Sequence, residues 1–219
     1  MEHFGFEYVK SVPFFMFYSV GSTNRVAKEF LKWGVNPPFC VLAAAQTEGR
    51  GRLERKWESP PYGGVYLSHV CSAEFERVQI ATLAAAVAVK EVILHFEPNV
   101  NLTIRYPNDV LVNNKKISGI LAELVGNSII IGVGLNLHLN AFSEDLLREA
   151  TALDELGEPP DRYSIVRVLF EQLDKNLRQL ASGGGDRIIE EVERSGAVGC
   201  MVKVVEMDGK EVHGVAERI

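Results

Sequence analysis

The sequence is poor in the residues that build disulfide frameworks and metal centres. Its 219 residues include three cysteines, Cys40, Cys71 and Cys200, odd in number, widely spaced and set among apolar neighbours, with no C-x-x-C pair. They read as reduced, buried thiols of a cytoplasmic protein, which excludes a disulfide-stapled fold and a cysteine-ligated zinc site. Five histidines, His3, His69, His95, His138 and His213, show no metal-ligand spacing. An excess of positive charge is missing too. With 23 Lys and Arg against 29 Asp and Glu the net charge is −6. Bulk attraction to nucleic acid or to an anionic membrane is thereby excluded, and any anion recognition must be local. The opening residues, with Glu2, Glu7 and Lys10, are not a signal peptide. The longest apolar stretch, Ile80 to Val89, is too short to cross a bilayer and contains Thr82. There is no internal repeat and no low-complexity segment. What remains is a soluble chain, 47% hydrophobic, with enough apolar material for one sizeable core and a small second module.

The patterning predicts alternating strands and helices. Phe14 to Val20 is aromatic and β-branched, a strand ended by Gly21. Ser22-Thr23-Asn24 then suits a helix N-terminus, and Val26, Ala27, Phe30 and Leu31 recur at helical spacing up to Gly34. Those three polar residues fit capping; a helix N-terminus with unpaired amides also fits a polar ligand. Phe39 to Ala45 and Gly63 to Val70 read as buried strands, and Val78 to Phe96 as a long alanine-rich helix packed on a sheet. Leu102 to Val112 is strand-like but interrupted at Pro107, after which Asn108 and Asp109 are turn-formers. Asn113-Asn114 and Gly126-Asn127 predict hairpin turns around a strand from Lys115 to Val125, with Ser128 to Val133 next. Regular alternation places Lys116 on one face with Ser118, Ile120, Ala122 and Leu124; a lysine at a strand's start is ordinarily solvated. Gly132 and Gly134 end this meander as a bulge or turn; with no third glycine and no helix behind them, dinucleotide binding is disfavoured. Tyr163 to Leu180 is an amphipathic helix, Ser182 to Gly185 a linker-like stretch, and Ile188 to Arg194 a short helix. Met201 to Glu206 and Glu211 to Ala216 form a last hairpin around Asp208-Gly209.

The stretch Gln46-Thr47-Glu48-Gly49-Arg50-Gly51-Arg52-Leu53-Glu54-Arg55-Lys56-Trp57 cannot be core, because its charges would need partners and its glycines add no packing. Glycine lets a ligand approach the backbone, and arginine offers planar donors for carboxylate or phosphate. Composition fits either an ordinary solvated basic loop or a mobile loop that closes over an anion. It lacks the lysine and hydroxyl of a Walker A loop.

Taken in order, S-T-N, Q-x-x-G-R-G-R-x-x-R-x-W, Y-P-N-D, K-I-S-G-I-L-x-E and G-x-G-x-N resemble the catalytic domain of biotin protein ligases, from about Phe17 to Asn140. The resemblance implies an α+β fold, a mixed sheet flanked by helices, over residues 1–196. A small, incomplete SH3-like β-module would follow over 197–219. It also implies an ATP-dependent ligase that makes biotinyl-5′-AMP with Mg²⁺ and transfers biotin to a lysine of a biotin carboxyl carrier protein domain. Ser22, Thr23, Asn24 and Gln46 would surround the biotin ureido ring, with Gly119 and Ile120 as backbone and wall of the slot. Arg50, Gly51 and Arg52 would fold over the biotin carboxylate and AMP phosphate, with Arg55 on phosphates and Trp57 lining the pocket. Lys116 would lie beside the carboxylate and α-phosphate, Asp109 would hold Mg²⁺, and Asn136 would face adenine. Gly49, Asn108, Gly132 and Gly134 complete the substrate-contacting set. No protein nucleophile is required, and no cysteine lies near a motif. Two departures stand out: Arg105-Tyr106 replaces the Lys-Trp of the family pattern, and the stretch after Ser195 is too short for the family's SH3-like domain, so that module is minimal or cut short; the room before Ser22 also holds no helix-turn-helix domain. A DNA-binding form is therefore not expected, nor is a membrane partner; a homodimer through exposed sheet edges is an expectation of the resemblance alone. The alternatives are a lipoate–protein ligase, for which an R-R-x-S-G-G-G type loop would be expected, and a non-catalytic biotin or acyl-adenylate binder.

Overall fold

The computed structural model describes residues 3–73, 78–205 and 211–219. Eight strands form one sheet: β1 (His3–Val9), β2 (Val12–Val20), β3 (Phe39–Gln46), β4 (Gly64–Ser72), β5 (Leu102–Arg105), β6 (Asp109–Val112), β7 (Lys115–Val125) and β8 (Ser128–Asn136). Their spatial order is β1-β2-β3-β4-β8-β7-β6-β5. The β2–β3 pair is parallel and its neighbours antiparallel, so the sheet is mixed, as expected. The parallel pair needs a crossover, and α1 (Thr23–Lys32) supplies it on one face. On the other face lie α2 (Val78–Phe96) and α4 (Arg162–Ala181), with the short α3 (Glu144–Leu147) between them in sequence and α5 (Gly185–Val192) after them. A separate two-stranded sheet, β9 (Met201–Val205) and β10 (Glu211–Val215), follows; its Asp208-Gly209 turn lies outside the described residues.

Helix α2 is apolar nearly all round, because it is sandwiched between the sheet and α4; Ala81 through Val89 are buried without a break. Its alanines allow both neighbours to approach closely. Length and composition alone would let α2 cross a membrane, yet 61% of its most apolar window is buried inside the protein. It is a core helix. The stripe Ile165, Val168, Leu169, Leu173, Leu177 and Leu180 of α4 is buried as its periodicity predicts, and Asp161 caps the helix by accepting from Ser164 N. The glycine run after α4 is not a linker. Gly183, at φ +89°, turns the chain directly into α5. Of the thiols, Cys40 alone is fully buried; Cys71 is half-buried and Cys200 exposed, because the last hairpin lies off the main core.

Strand β8 divides the two faces. Ile129, Ile131, Val133 and Leu135 enter the large core under α2 and α4, whereas Ile130 belongs to a smaller aromatic cluster under α1 with Phe17 and Phe39. On the large-core side His69 is fully buried, its Nδ1 3.3 Å from Cys40 Sγ and its ring 5.8 Å from Phe170. Burial pushes its pKa from 6.5 to about 4, against a smaller upward pull from Asp174. The unfolded chain therefore takes up this proton first. Stability from neutral His69 is complete above pH 6.5 and is lost as pH falls toward 4, a loss of about 3 kcal/mol. Urea titrations from pH 7 to 4 should show this slope, and His69→Leu should flatten it; an unchanged slope in the variant would place the titration elsewhere.

Candidate functional site

The α1 face of the sheet carries a strip without side chains. Gly119 of β7 is the register partner of Gly134 of β8, and Gly132 lies two residues back on the same face. A methyl at Gly132 would come within 2.4 Å of Asn24 Oδ1, and one at Gly134 within 2.4 Å of the Trp57 indole. These glycines are therefore neither turn nor bulge, as their spacing had suggested. They lie inside β8 so that Asn24 and an aromatic ring can rest on backbone.

Around that floor the polar residues of α1 are organised by strand ends. Gln46, at the end of β3, turns its Oε1 to Thr23 N (2.8 Å) and Thr23 Oγ1 (3.1 Å), and its Nε2 donates to Ser59 Oγ (2.9 Å). The helix is thus capped from outside by Gln46. Ser22, at the N-cap position, makes no side-chain capping bond although the residue is buried. Among the described residues its hydroxyl takes no hydrogen bond, which leaves it available to a ligand. Asn24 accepts from Ser68 Oγ (2.6 Å) and donates to Glu123 Oε2 (2.8 Å) and Leu121 O (3.3 Å), which fixes its amide over Gly132. Together these residues line a narrow cavity of about 40 Å³, with Arg50, Trp57 and Asn108 at its border. Ile120 contributes differently from a wall. Its side chain lies in the large core, while its backbone N and O hold Asn108.

The basic loop is drawn into a narrow hairpin. Trp57 N donates to Gly49 O (2.9 Å), Gly51 N donates to Arg55 O (2.7 Å), and Arg50 bridges Lys56. Leu53 and Glu54 turn the tip with positive φ, and Leu53 is 82% exposed. Arg52 reaches across to Asn108 Oδ1 at 3.3 Å. A methyl at Gly49 would strike Trp57 O at 2.3 Å, so glycine is required at the neck of this hairpin.

Lys116 does not share a face with Ile120. In the β6–β7 ladder Val110 pairs with Ser118 and Leu111 with Lys116, which leaves Ile117 as an extra residue, a β-bulge. The shifted parity puts Lys116 on the glycine face. Its Nζ is 5.2 Å from the Trp57 ring centroid and 2.7 Å from Asp109 Oδ1. The other oxygen of Asp109 takes Arg105 Nη2 at 2.7 Å, and Asn108 Nδ2 also approaches Oδ1 at 3.1 Å. A cis Tyr106-Pro107 peptide precedes this cluster. Beyond it opens a larger cavity of about 600 Å³, lined in part by Arg55, Trp57, Asp109, Lys116 and Asn136. Trp57 borders both cavities. Two buried polar atoms lack a protein partner among the described residues, Trp57 Nε1 and Asn136 Oδ1. Both belong to this site. Asn136 is held by donating Nδ2 to Thr151 O at 3.0 Å, so its carbonyl is left as an acceptor.

Among the described residues no group of three His, Cys, Asp or Glu side chains is placed to hold a metal. Mg²⁺ is commonly bound by one or two carboxylates plus phosphates and waters. Asp109, with both oxygens engaged by cations, fits a metal that arrives with phosphate oxygens rather than a resident ion.

Comparison with known proteins decides the family: the biotin/lipoate A/B protein ligase family model matches residues 16–140. The chain belongs to that family. Among its relatives, the biotin–[acetyl-CoA-carboxylase] ligase of Mycobacterium tuberculosis is 32% identical over 91% of this chain and 77% of that protein. The bifunctional ligase/repressor BirA of Bacillus subtilis is 33% identical over 75% of this chain and 54% of its own length. The chain thus spans about half of that relative. A solved structure of the Aquifex aeolicus biotin protein ligase, in complex with biotin and ATP, superposes with a TM-score of 0.82. It is 28% identical, covering 92% of this chain and 85% of that one. The matched span nearly coincides with the motif-bearing stretch. Residues that sequence reasoning missed here are Ser59, Ser68 and Glu123, which hold Gln46 and Asn24. Glu123 closes the K-I-S-G-I-L-x-E motif but was given no role, and no local pattern marks Ser59 or Ser68, because they act across strands.

The outside cap gives a direct test of the local geometry. Gln46→Ala should cost about 1 kcal/mol of stability by leaving Thr23 N without its acceptor. Ser22→Ala should stay within about 0.5 kcal/mol of the parent. Urea unfolding of both variants checks this; the reverse ranking would make Ser22 the cap.

Proposed function

We propose that this protein is an ATP-dependent biotin ligase, which activates biotin as biotinyl-5′-AMP and transfers it to a lysine of a biotin carboxyl carrier domain. The observation that carries this reading is the junction at Trp57. A narrow polar slot, with Arg50 at its border, and a wide cationic cavity meet there, with Lys116 beside Trp57. A ureido ring is a compact fork of donors and one acceptor, which hydroxyl and amide groups such as Ser22, Thr23, Asn24 and Gln46 satisfy without a full charge. Trp57 Nε1 and Asn136 Oδ1 supply the unmatched donor and acceptor that a ligand would take up. Asn136 is the adenine contact, because its carbonyl suits an exocyclic amine.

In the first step a carboxylate oxygen of biotin attacks the α-phosphorus of ATP. The bond to the bridging oxygen of the β-phosphate breaks, and pyrophosphate leaves with that electron pair. Anion meets anion, so the barrier falls where cations stand at the developing charge. Lys116 serves that role from the sheet, and Arg50 and Arg55 from the loop, while Arg52 closes over the adenylate. Arriving phosphate draws Lys116 and Arg105 from Asp109, whose carboxylate would then hold Mg²⁺; the metal would supply further charge on the phosphates. In the second step the carrier lysine's neutral amine attacks the acyl carbon, AMP departs, and the amine loses a proton. Several relatives are named as biotin–[acetyl-CoA-carboxylase] or biotin–protein ligases, which favours biotin over lipoate. A cytoplasmic site of action is consistent with the carrier substrate.

Biotin-dependent exchange between ATP and pyrophosphate tests the assignment. A catalyst gives it, a sequestering protein does not, and a lipoate ligase gives it with lipoate alone. Lys116→Ala should slow the exchange roughly 100- to 1000-fold, as removal of one donor at a developing charge commonly does. Activity within about threefold of the parent would return Lys116 to an electrostatic bystander. Arg52→Gly separates making the adenylate from keeping it. Its guanidinium sits on an exposed loop, held among the described residues by Asn108 alone, at 3.3 Å. The variant should still release pyrophosphate but lose the intermediate faster, and so label lysines of an added non-carrier protein. Collapsed pyrophosphate release with unchanged selectivity would instead assign Arg52 to the first chemical step.

A further inference from the structure

Ion pairing is uneven along this chain. Arg25, Lys28, Lys32, Lys90, Lys175, Arg178 and Arg194 all have acidic partners. Among the described residues Arg50, Arg52, Arg162, Arg167, Arg187 and Arg218 form no ion pair, so it is the gathering of cations in one place that sets the large cavity apart. It is lined by six cations, Arg55, Lys56, Arg105, Lys115, Lys116 and Arg148, and by three acids. Asp109 is taken by Arg105 and Lys116. Glu58 is committed to Ser143, whose Oγ (2.6 Å) and N (3.1 Å) hold its carboxylate below the usual range. Glu149 forms no ion pair among the described residues. Nor do Arg55, Lys56, Lys115 and Arg148, which leaves an excess of positive charge in a protein whose net charge is −6.

Two of those four cations ride on the loop hairpin; the other two stand on a fixed frame. Lys115 opens β7 opposite Val112, and Arg148 closes α3. The segments are stitched together by Lys116 N to Glu149 O and Thr151 N to Lys116 O, both 2.9 Å. Both residues are among those lining the large cavity and neither is among those lining the slot. If the carboxylate enters from the slot and Lys116 marks the α-phosphate, in-line displacement sends the leaving group away from the slot. That direction leads into the large cavity, whose lining includes Lys115 and Arg148.

We propose that Lys115 and Arg148 form a fixed seat for the pyrophosphate portion of ATP, outside the sequence motifs, that binds the β- and γ-phosphates and the departing pyrophosphate. The seat rests on the ligase reading for its ligand, but its test is a binding measurement. Titration calorimetry of the full chain with pyrophosphate, ATP and AMP compares the parent with Lys115→Gln, Arg148→Gln and the double variant. Each charge removed should weaken pyrophosphate and ATP about tenfold, and AMP less than about twofold, because AMP lacks the outer phosphates. Lys32→Gln makes the same change in net charge at a distant surface pair and should leave all three ligands unmoved. Equal weakening of AMP and ATP would overturn the seat in favour of a diffuse field, and unchanged pyrophosphate affinity would overturn it outright. A parent that binds pyrophosphate through these residues yet shows no biotin-dependent exchange would sink the ligase reading and leave the seat standing.

Discussion

The site depends on one constraint, the direct approach of side chains to backbone on the α1 face of β7 and β8. Gly119, Gly132 and Gly134 present peptide groups there instead of side chains. The Asn24 amide and the Trp57 indole occupy the room this leaves. Their positions decide the rest: Asn24 orders Ser68 and Glu123, and Trp57 divides slot from cavity. A single methyl at either β8 glycine would collide at 2.4 Å, in a region where packed neighbours cannot yield without moving α1 or the loop.

The opposite face explains why so open a site can be held steadily. β8 alternates Ile129, Ile131, Val133 and Leu135 into a core roofed by α2 and α4. That rigid layer lets the α1 face carry glycines, which contribute no packing of their own. The electrostatics follow the same division of labour. Asp109 serves as counter-ion to Lys116 and Arg105, so the two cations nearest the junction stand paired and oriented before an anionic substrate enters. Their order requires no loop movement.

Much of this was legible in the sequence wherever a single element carries its own signal. Val78 to Phe96 and the stripe of α4 were readable because helical burial repeats along one segment. The hairpin turns at Asn113-Asn114 and Gly126 were readable because positive φ selects few residue types. Order and spacing of the polar motifs placed the site. What was not legible depends on partners distant in sequence. Ser22 looked like a cap, and Gln46, 23 residues beyond Thr23, does the capping. Gly132 and Gly134 looked like punctuation, and their purpose appears only when Asn24 and Trp57 lie above them. The face of Lys116 was misjudged because nothing in K-K-I-S-G announces a bulge.

That bulge lets one strand serve two clients with incompatible periods. The β6 hairpin fixes the phase of Lys115 and Lys116, while β8 fixes the phase of Ser118 to Val125. Ile117 absorbs the mismatch and is itself fully buried. The core therefore gains a branched side chain without moving the lysine. The one extra residue is thus what allows both registers to coexist with the lysine on the glycine face.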